Sequence, residues 1–426
     1  MTPARGVRRP RILLLHYTGP PVVGGVEAVL ARHARLLARD GFDMHVLVGR
    51  GESLGDGIGL HHLALLDSRH PRVLAASRDL EEGRVTPAFT ALTARIRDAL
   101  EESLAGIDVC VVHNALTLHK NLALTAALHQ VAARGSRARI VAWCHDLAWT
   151  NPQYRPHLYP GAPWSLLQTP LSGGVYVAVS RHRQRELSAR LGLPSGAIEV
   201  IPNGIDPGAF FHLSRAGRWL AATLRLWKQE VVLLLPARVT RRKQIEYALR
   251  VVSAMVRSGS AVRLLVTGPP GAHNPRNREY LQELRALRRR LGLDGRVVFC
   301  AELPGPLGRG LALSDRTMAD LYFLADALLL PSREEGFGLP LLEAGLARLP
   351  AFTTDLAPFR DIGGDAIHTF ALGDPPARVA AMILGTLMEE KRYRLRRRVL
   401  GAYAWDGIIQ ERVAPLLARQ AAAVHA

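Results

Sequence analysis

Short, uninterrupted apolar runs separated by helix-patterned stretches dominate this chain, and the alternation starts twice. A run apolar at every position has no face to give to water, so it reads as a strand of a parallel sheet covered by helices on both sides. In the first series, Arg11 to Val48 reads as strand, glycine-rich loop, helix and strand. The helix carries Val26, Val29, Leu30, Leu36 and Leu37, and FDMHVLVG follows it. Further strands are expected at Val109 to Val112, Ile140 to Cys144 and Val175 to Val179. After AIEVIPNGID, Ala197 to Asp206, the pattern begins again at Val231 to Leu235, Val262 to Thr267, Arg296 to Phe299, Ala327 to Leu330 and Ala351 to Thr353. The helix after Leu235 places Ile245, Ala248, Leu249, Val252 and Met255 on one stripe. The fold class is therefore α/β, with two Rossmann-like, doubly wound halves joined near Pro202 to Asp206. At 426 residues the chain exceeds one ordinary core, and a cleft between two such halves is the default place for a site.

Composition narrows the function classes. With 48% hydrophobic and 22% charged residues the chain is globular. Its formal charge of +18 invites a nucleic-acid reading, but the basic residues are spread along the chain and nearly all are Arg; Lys occurs only at Lys120, Lys228, Lys243 and Lys391. No RNA- or DNA-binding motif accompanies them, so no nucleic-acid partner is expected. A basic surface favours anionic partners instead: phosphorylated donors, acidic acceptors or anionic lipid. Cys110, Cys144 and Cys300 sit in or beside apolar strands without short pairing, as free core thiols of a reducing, cytoplasmic compartment. The Arg-rich start before ILLL resembles a secretion signal, but its apolar part is short and runs into His16 and Tyr17, so it reads as a first strand. The stretch Lys391 to Arg398 and the series Arg32, Arg35 and Arg39 read as solvated faces or as peripheral contacts with anionic headgroups at the inner face of the membrane.

The most specific local pattern is SREEGFGLPLLEAG, Ser332 to Gly345. The apolar run Asp326 to Pro331 precedes it, the chain breaks at Gly336 and Gly338, and Pro340 is expected at the first helical position, where its missing N–H costs nothing. Free amides at a helix start, with glycines admitting backbone to a ligand, suit a diphosphate. Glu335 lies at the strand mouth and Glu343 one turn inside the helix; both can face one crevice, one accepting hydrogen bonds from sugar hydroxyls and the other from a ribose. Without that context the two Glu would be an acidic first turn complementing a helix dipole. Arg238 and Lys243, five residues apart after a buried strand, stand where open α/β sheets bind ligands. Fixed cations there would stabilise a departing diphosphate. Their neighbours Arg241 and Arg242 read as a surface charge run. Gly24 and Gly25 in GPPVVGGVE are either a tight turn or a phosphate-facing loop, and they lack the G-x-G-x-x-G of nicotinamide enzymes.

The E-x7-E pattern Glu335 to Glu343 with GFGLP between resembles the retaining family-4 glycosyltransferases of the GT-B fold, and the resemblance spans nearly the whole chain. It implies an acceptor-side domain over residues 1–203, a nucleotide-sugar domain over 204–404 and a final helix, 405–426, crossing back to the first domain. It implies transfer of a hexose of the glucose or mannose class from a UDP- or GDP-sugar to a hydroxyl acceptor with retention, with no metal and no cofactor beyond the co-substrate. His145 and Asp146 in WCHDLAW resemble the family's HD motif, His145 at the transferred sugar. Gly24, Gly25, Gly336, Phe337, Gly338 and Leu339 would join Arg238, Lys243 and Glu343 around the donor, with Glu335 at its sugar. His113 and Asn114 stand as acceptor-side candidates or as structural groups. Two departures stand out: Arg348-Leu349-Pro350 where the family often has a small residue and Gly before Pro, and a long segment from Leu303 to Asp315 near the base site. An epimerase or phosphorylase on the same fold, or a non-catalytic sugar-nucleotide-binding peripheral membrane module, would carry many of the same residues.

Overall fold

The computed structural model describes residues 9–271, 274–308, 310–311 and 313–425. The chain divides into two compact units, one holding the residues up to Gly204 and those from Trp405 onward, the other Ile205–Ala404.

The first unit is built on a seven-stranded parallel sheet: β1 (Arg11–His16), β2 (Asp43–Val48), β3 (Ile58–His62), β4 (Val109–His113), β5 (Arg139–Cys144), β6 (Val175–Ala178) and β7 (Ile198–Val200), in the order β3-β2-β1-β4-β5-β6-β7. Alternate residues of β1 enter opposite cores: Leu13 and Leu15 pack with Cys110 and Ala142 on one face, Ile12 and Leu14 with Val111 and Val141 on the other. That two-sided burial is why the run is apolar throughout. The second core is completed by Trp405, Ile409, Val413, Leu416 and Leu417, so the last helical stretch, Trp405 to His425, is part of this unit and passes through a π turn at Ile409–Val413. Edge strands β3 and β7 were absent from the expected series. IGLHH has only one covered face and is half-polar, so it carries no apolar run.

The second unit repeats the plan with six parallel strands: β8 (Val231–Leu235), β9 (Val262–Val266), β10 (Val297–Phe299), β11 (Ala327–Leu330), β12 (Ala351–Thr354) and β13 (His368–Phe370), in the order β10-β9-β8-β11-β12-β13. Val231, Leu233 and Leu235 face one core and Val232 and Leu234 the other. The helix Ile245–Arg257 buries the stripe Ile245, Ala248, Leu249, Val252 and Met255.

The basic stretch from Lys391 to Arg398 does not face solvent throughout. It forms the helix Lys391–Ala402, and Arg397 turns inward to grip Asp326 at 2.6 and 2.7 Å, with Asp326 almost fully buried. Arg396 donates to the carbonyls of Ala325 and Phe323. An ion pair at the entrance of β11 fixes where the strand begins, because either charge alone would be left desolvated. The rest of the stretch's basic residues, Lys391, Arg392, Arg394 and Arg398, are exposed. Arg39 pairs with Asp406 at 2.8 Å. Among the described residues no helix is long and apolar enough to cross a membrane. The three cysteines are free and buried, and burial pushes each thiol up to about 12. The long segment from Leu303 to Asp315 lies partly outside the described residues.

Candidate functional site

In the second unit, β8 and β11 are neighbours, so the loops leaving their carboxyl ends meet. The amide of Arg333 donates to the carbonyl of Arg242 at 2.7 Å, stitching the two loops together. Lys243 is buried and its ammonium donates to the Glu335 carboxylate, which also accepts from Ser332 Oγ at 2.7 Å. Arg242 is exposed, as expected of surface charge, and also comes to 3.3 Å from the other Glu335 oxygen and donates to the Glu334 carbonyl. Its neighbour Arg241 does lie outward, paired with Glu283 and stacked on Tyr280. A buried carboxylate with two cations and a hydroxyl has its charge matched by fixed donors.

A cavity of about 340 Å³ opens beside this cluster, lined by Arg238, Thr240, Arg242, Lys243, Asn274 and Asn277 among others. Its wall depends on a glycine that the sequence reading passed over. A Cβ at Gly268 would stand 2.6 Å from the Ala237 carbonyl and from the backbone of Arg238. Gly268 donates its amide to that carbonyl at 3.0 Å, so the loop after β9 can lie against the loop carrying Arg238.

Glu343 sits on the helix Leu339–Leu346 and accepts the Tyr322 hydroxyl. Burial and the Glu343 charge both push the Tyr322 phenol upward, so it stays a donor. Leu339 takes the first helical position and Pro340 the second, one later than expected; amides of a first turn lack intrahelical partners, so Pro is tolerated at either place. Gly338 precedes the helix at φ +117°, a left-handed conformation that a side chain would strain, and no side chain caps the helix start. Phe337 and Leu339 are exposed, and Gly336 faces open space.

In the first unit, β1, β4 and β5 are consecutive in the sheet, and each ends or is followed by a histidine: His16, His113 and His145. A cavity of about 610 Å³ lies at these strand ends, lined by His16, Gly24, Gly25, Glu27, Asn114, His145 and Asp146 among others. Asn114 adopts φ +58°, which Asn tolerates better than most, and its Oδ1 accepts the amides of His145 and Asp146 at 2.8 and 3.1 Å. His113 is fully buried and does not line the cavity, so from this position it touches no acceptor; it holds His145 Nε2 at 3.1 Å through its Nδ1. Desolvation pushes His145 and His33 down to about 3, and His113 well below its ordinary value. All three are neutral at pH 7.

Two lining residues were missed. His16 reaches the His113 carbonyl through Nδ1 at 2.9 Å, and Glu27 accepts the Thr18 hydroxyl at 2.7 Å with His16 Nε2 at 3.8 Å. Their only sequence signal is a polar residue ending an apolar run and an acid in the first turn of the next helix. A Cβ at Gly24 would meet the Glu27 carboxylate, which would have to swing aside, whereas a Cβ at Gly25 would enter open space. Asp146 pairs with Arg183 at 3.4 Å. Among the described residues no group of three or more His, Cys, Asp or Glu could hold a metal ion.

Residues 23–209 match the model of Glycosyltransferase Family 4, and residues 230–388 match that of Glycosyl transferases group 1. The chain is 24% identical to a mannosylglucosylglycerate synthase of Thermotoga maritima over 85% of both chains. It is 24% identical to an uncharacterized glycosyltransferase of Methanocaldococcus jannaschii over 56% of this chain and 58% of that protein. Against a D-inositol 3-phosphate glycosyltransferase of Nocardia farcinica it is 27% identical, over 54% of this chain and 48% of the relative. The chain thus spans about half the length of those last two relatives. A crystal structure of a glycosyltransferase from Rickettsia africae aligns over 97% of this chain and 99% of that one, at 14% identity and a TM-score of 0.39.

Proposed function

We propose that this chain, which belongs to the family-4 glycosyltransferases, moves a hexose from a nucleoside diphosphate sugar to a hydroxyl acceptor with retention of anomeric configuration. The observation that carries the proposal is the Lys243–Glu335–Arg242 cluster at the ends of β8 and β11, beside a cavity lined by the segments that follow β8 and β9. In it two cations and a carboxylate converge where an α/β sheet takes ligands.

In this reading Arg238 and Lys243 hold the diphosphate, Glu335 accepts hydrogen bonds from the donor sugar, and Glu343 from the ribose. The helix start at Gly338 and Leu339, free of a side-chain cap, adds amides to the diphosphate, with Gly336 and Phe337 shaping the approach. As the bond from the anomeric carbon to the phosphate oxygen breaks, charge builds on the departing diphosphate, and fixed cations stabilise that state more than the ground state. The anomeric carbon bonds to the acceptor oxygen on the same face, and the acceptor's proton passes to the departing phosphate. His145 hydrogen-bonds the transferred sugar, and Gly24 and Gly25 bring their amides to the donor phosphate. Incubation with single UDP- and GDP-sugars tests this: one of them should yield its nucleoside diphosphate and a glycoside of unchanged anomeric configuration. Inversion at the anomeric carbon, epimerised donor, or phosphate consumed as acceptor would each refute it.

A further inference from the structure

Three histidines at adjacent strand ends share hydrogen bonds whose polarity can be worked out from what surrounds them. His16 Nδ1 lies 2.9 Å from the His113 carbonyl, which can only accept, so that nitrogen carries the proton. The contact between His113 Nδ1 and His145 Nε2, at 3.1 Å, has two neutral forms. In one, His145 donates, and the proton of His113 must then sit on Nε2. That nitrogen is buried and has no partner among the described residues. Its ring neighbour Trp143, with centroids 5.9 Å apart, also has a buried indole N–H without a partner, and an indole nitrogen only donates. This form therefore leaves two N–H groups without protein partners in one core, and buried orphan donors are the rarest kind of unpaired group. In the other form His113 donates from Nδ1 and keeps a bare lone pair on Nε2, so Trp143 is left as the one orphan donor. A doubly protonated His113 is disfavoured, because it would hold a charge in a fully buried ring and burial drives that ring toward the neutral form.

We infer that His113 is a positioning residue that fixes His145 as its Nδ1–H tautomer, so that His145 offers the cavity a hydrogen-bond donor and never a base. The catalytic consequence rests on the glycosyl-transfer reading; the tautomer does not. Nε2 of His145 is occupied by His113, which leaves Nδ1 as the ring nitrogen for the cavity that His145 lines. An N–H there donates to an oxygen of the transferred sugar, whereas a lone pair would call for a hydroxyl turned the other way. Burial keeps His145 neutral down to about pH 3, so this polarity does not change across the working range.

The experiment uses the full chain labelled with ¹⁵N-histidine, long-range ¹H–¹⁵N correlation of the imidazoles, and assignment of His145 by the signals lost in His145→Gln. His145 is expected with Nδ1 protonated and Nε2 bare, and His113 likewise. In His113→Phe, which keeps a ring but no donor, a protonated Nε2 of His145 should appear and kcat/KM for the nucleotide sugar should fall about tenfold, the scale of one hydrogen bond. His113→Asn puts an amide N–H where Nδ1 was and should restore both. A wild-type His145 protonated at Nε2 overturns the inference without any variant having to fold, and so does an unchanged tautomer in His113→Phe. The predicted tautomers in a chain that consumes no nucleotide sugar would uphold the assignment of His113 and refute the glycosyl-transfer reading.

Discussion

Replacing Glu335 with Gln keeps the outline of the side chain and removes its charge, which separates the site's function from its contribution to stability. Lys243 and Glu335 are each about 10% exposed at the side chain, so their charge-assisted bond is little screened. Such a bond contributes about 1.5–3 kcal/mol. The Ser332 hydroxyl at 2.7 Å can still bond the Gln oxygen. The loss should therefore lie near 2 kcal/mol, a fraction of an ordinary domain's stability, lowering the melting temperature by roughly 4–8 °C for a unit of this size. Lys243→Ala leaves Glu335 with Ser332 and with Arg242 at 3.3 Å, so it too should fold. Both variants should lose turnover on the order of 10²-fold or more, about 2.7 kcal/mol in the barrier, because each removes a preorganised electrostatic contact. The assay is nucleoside diphosphate release at limiting and saturating donor, with circular-dichroism melts on the same samples. Folded variants that both turn over within about threefold of the parent chain would refute the assignment of the site.

Three further outcomes follow from the same geometry. Activity should survive EDTA, since phosphate charge is assigned to Arg238, Lys243 and helix amides; complete loss restored by magnesium or manganese would contradict that assignment. Stability should fall on acidification: His33, His113 and His145 have folded pKa values below the unfolded 6.5, so the unfolded chain takes up protons first and stability, complete above about pH 6.5, is lost as pH drops toward 3. Melting curves from pH 7.5 to 4.5 check this, and His33→Asn should flatten the slope; an equal slope in that variant would show that His33 contributes nothing to the acid sensitivity. Gly268→Ala should cost about 1–3 kcal/mol and weaken donor binding, because its Cβ would meet the backbone of Ala237 and Arg238 at 2.6 Å; unchanged melting and affinity would show that the loop shifts freely.

The parallel sheets were legible because their central strands are buried on both faces and so must be apolar throughout. The edge strands β3 and β13 were not, since HTF and IGLHH carry no such constraint. In the candidate site, Lys243 and Glu335 stood out by spacing and chemistry. Arg242 was read as surface, which it is, but its approach to Glu335 shows only once the β11 loop is brought against it. His113 was visible as a polar residue at a strand end, but only its depth in the core turns it from a ligand contact into a support for His145. Arg396 and Arg397 were misplaced for the opposite reason: a run of charges hides which members turn inward, and their partners, the Ala325 and Phe323 carbonyls and the Asp326 carboxylate, lie far away in sequence.

The central claim, a nucleoside diphosphate sugar held by the second unit, is tested most directly by thermal stabilisation across a panel of UDP- and GDP-sugars. A ligand present at about 100 times its Kd stabilises the native state by about 2.7 kcal/mol, roughly 5–10 °C for a unit of this size. One nucleotide sugar of the panel should produce that shift with the parent chain and lose it in Lys243→Ala. A parent chain whose melting temperature is unmoved by every member at millimolar concentration would contradict the account.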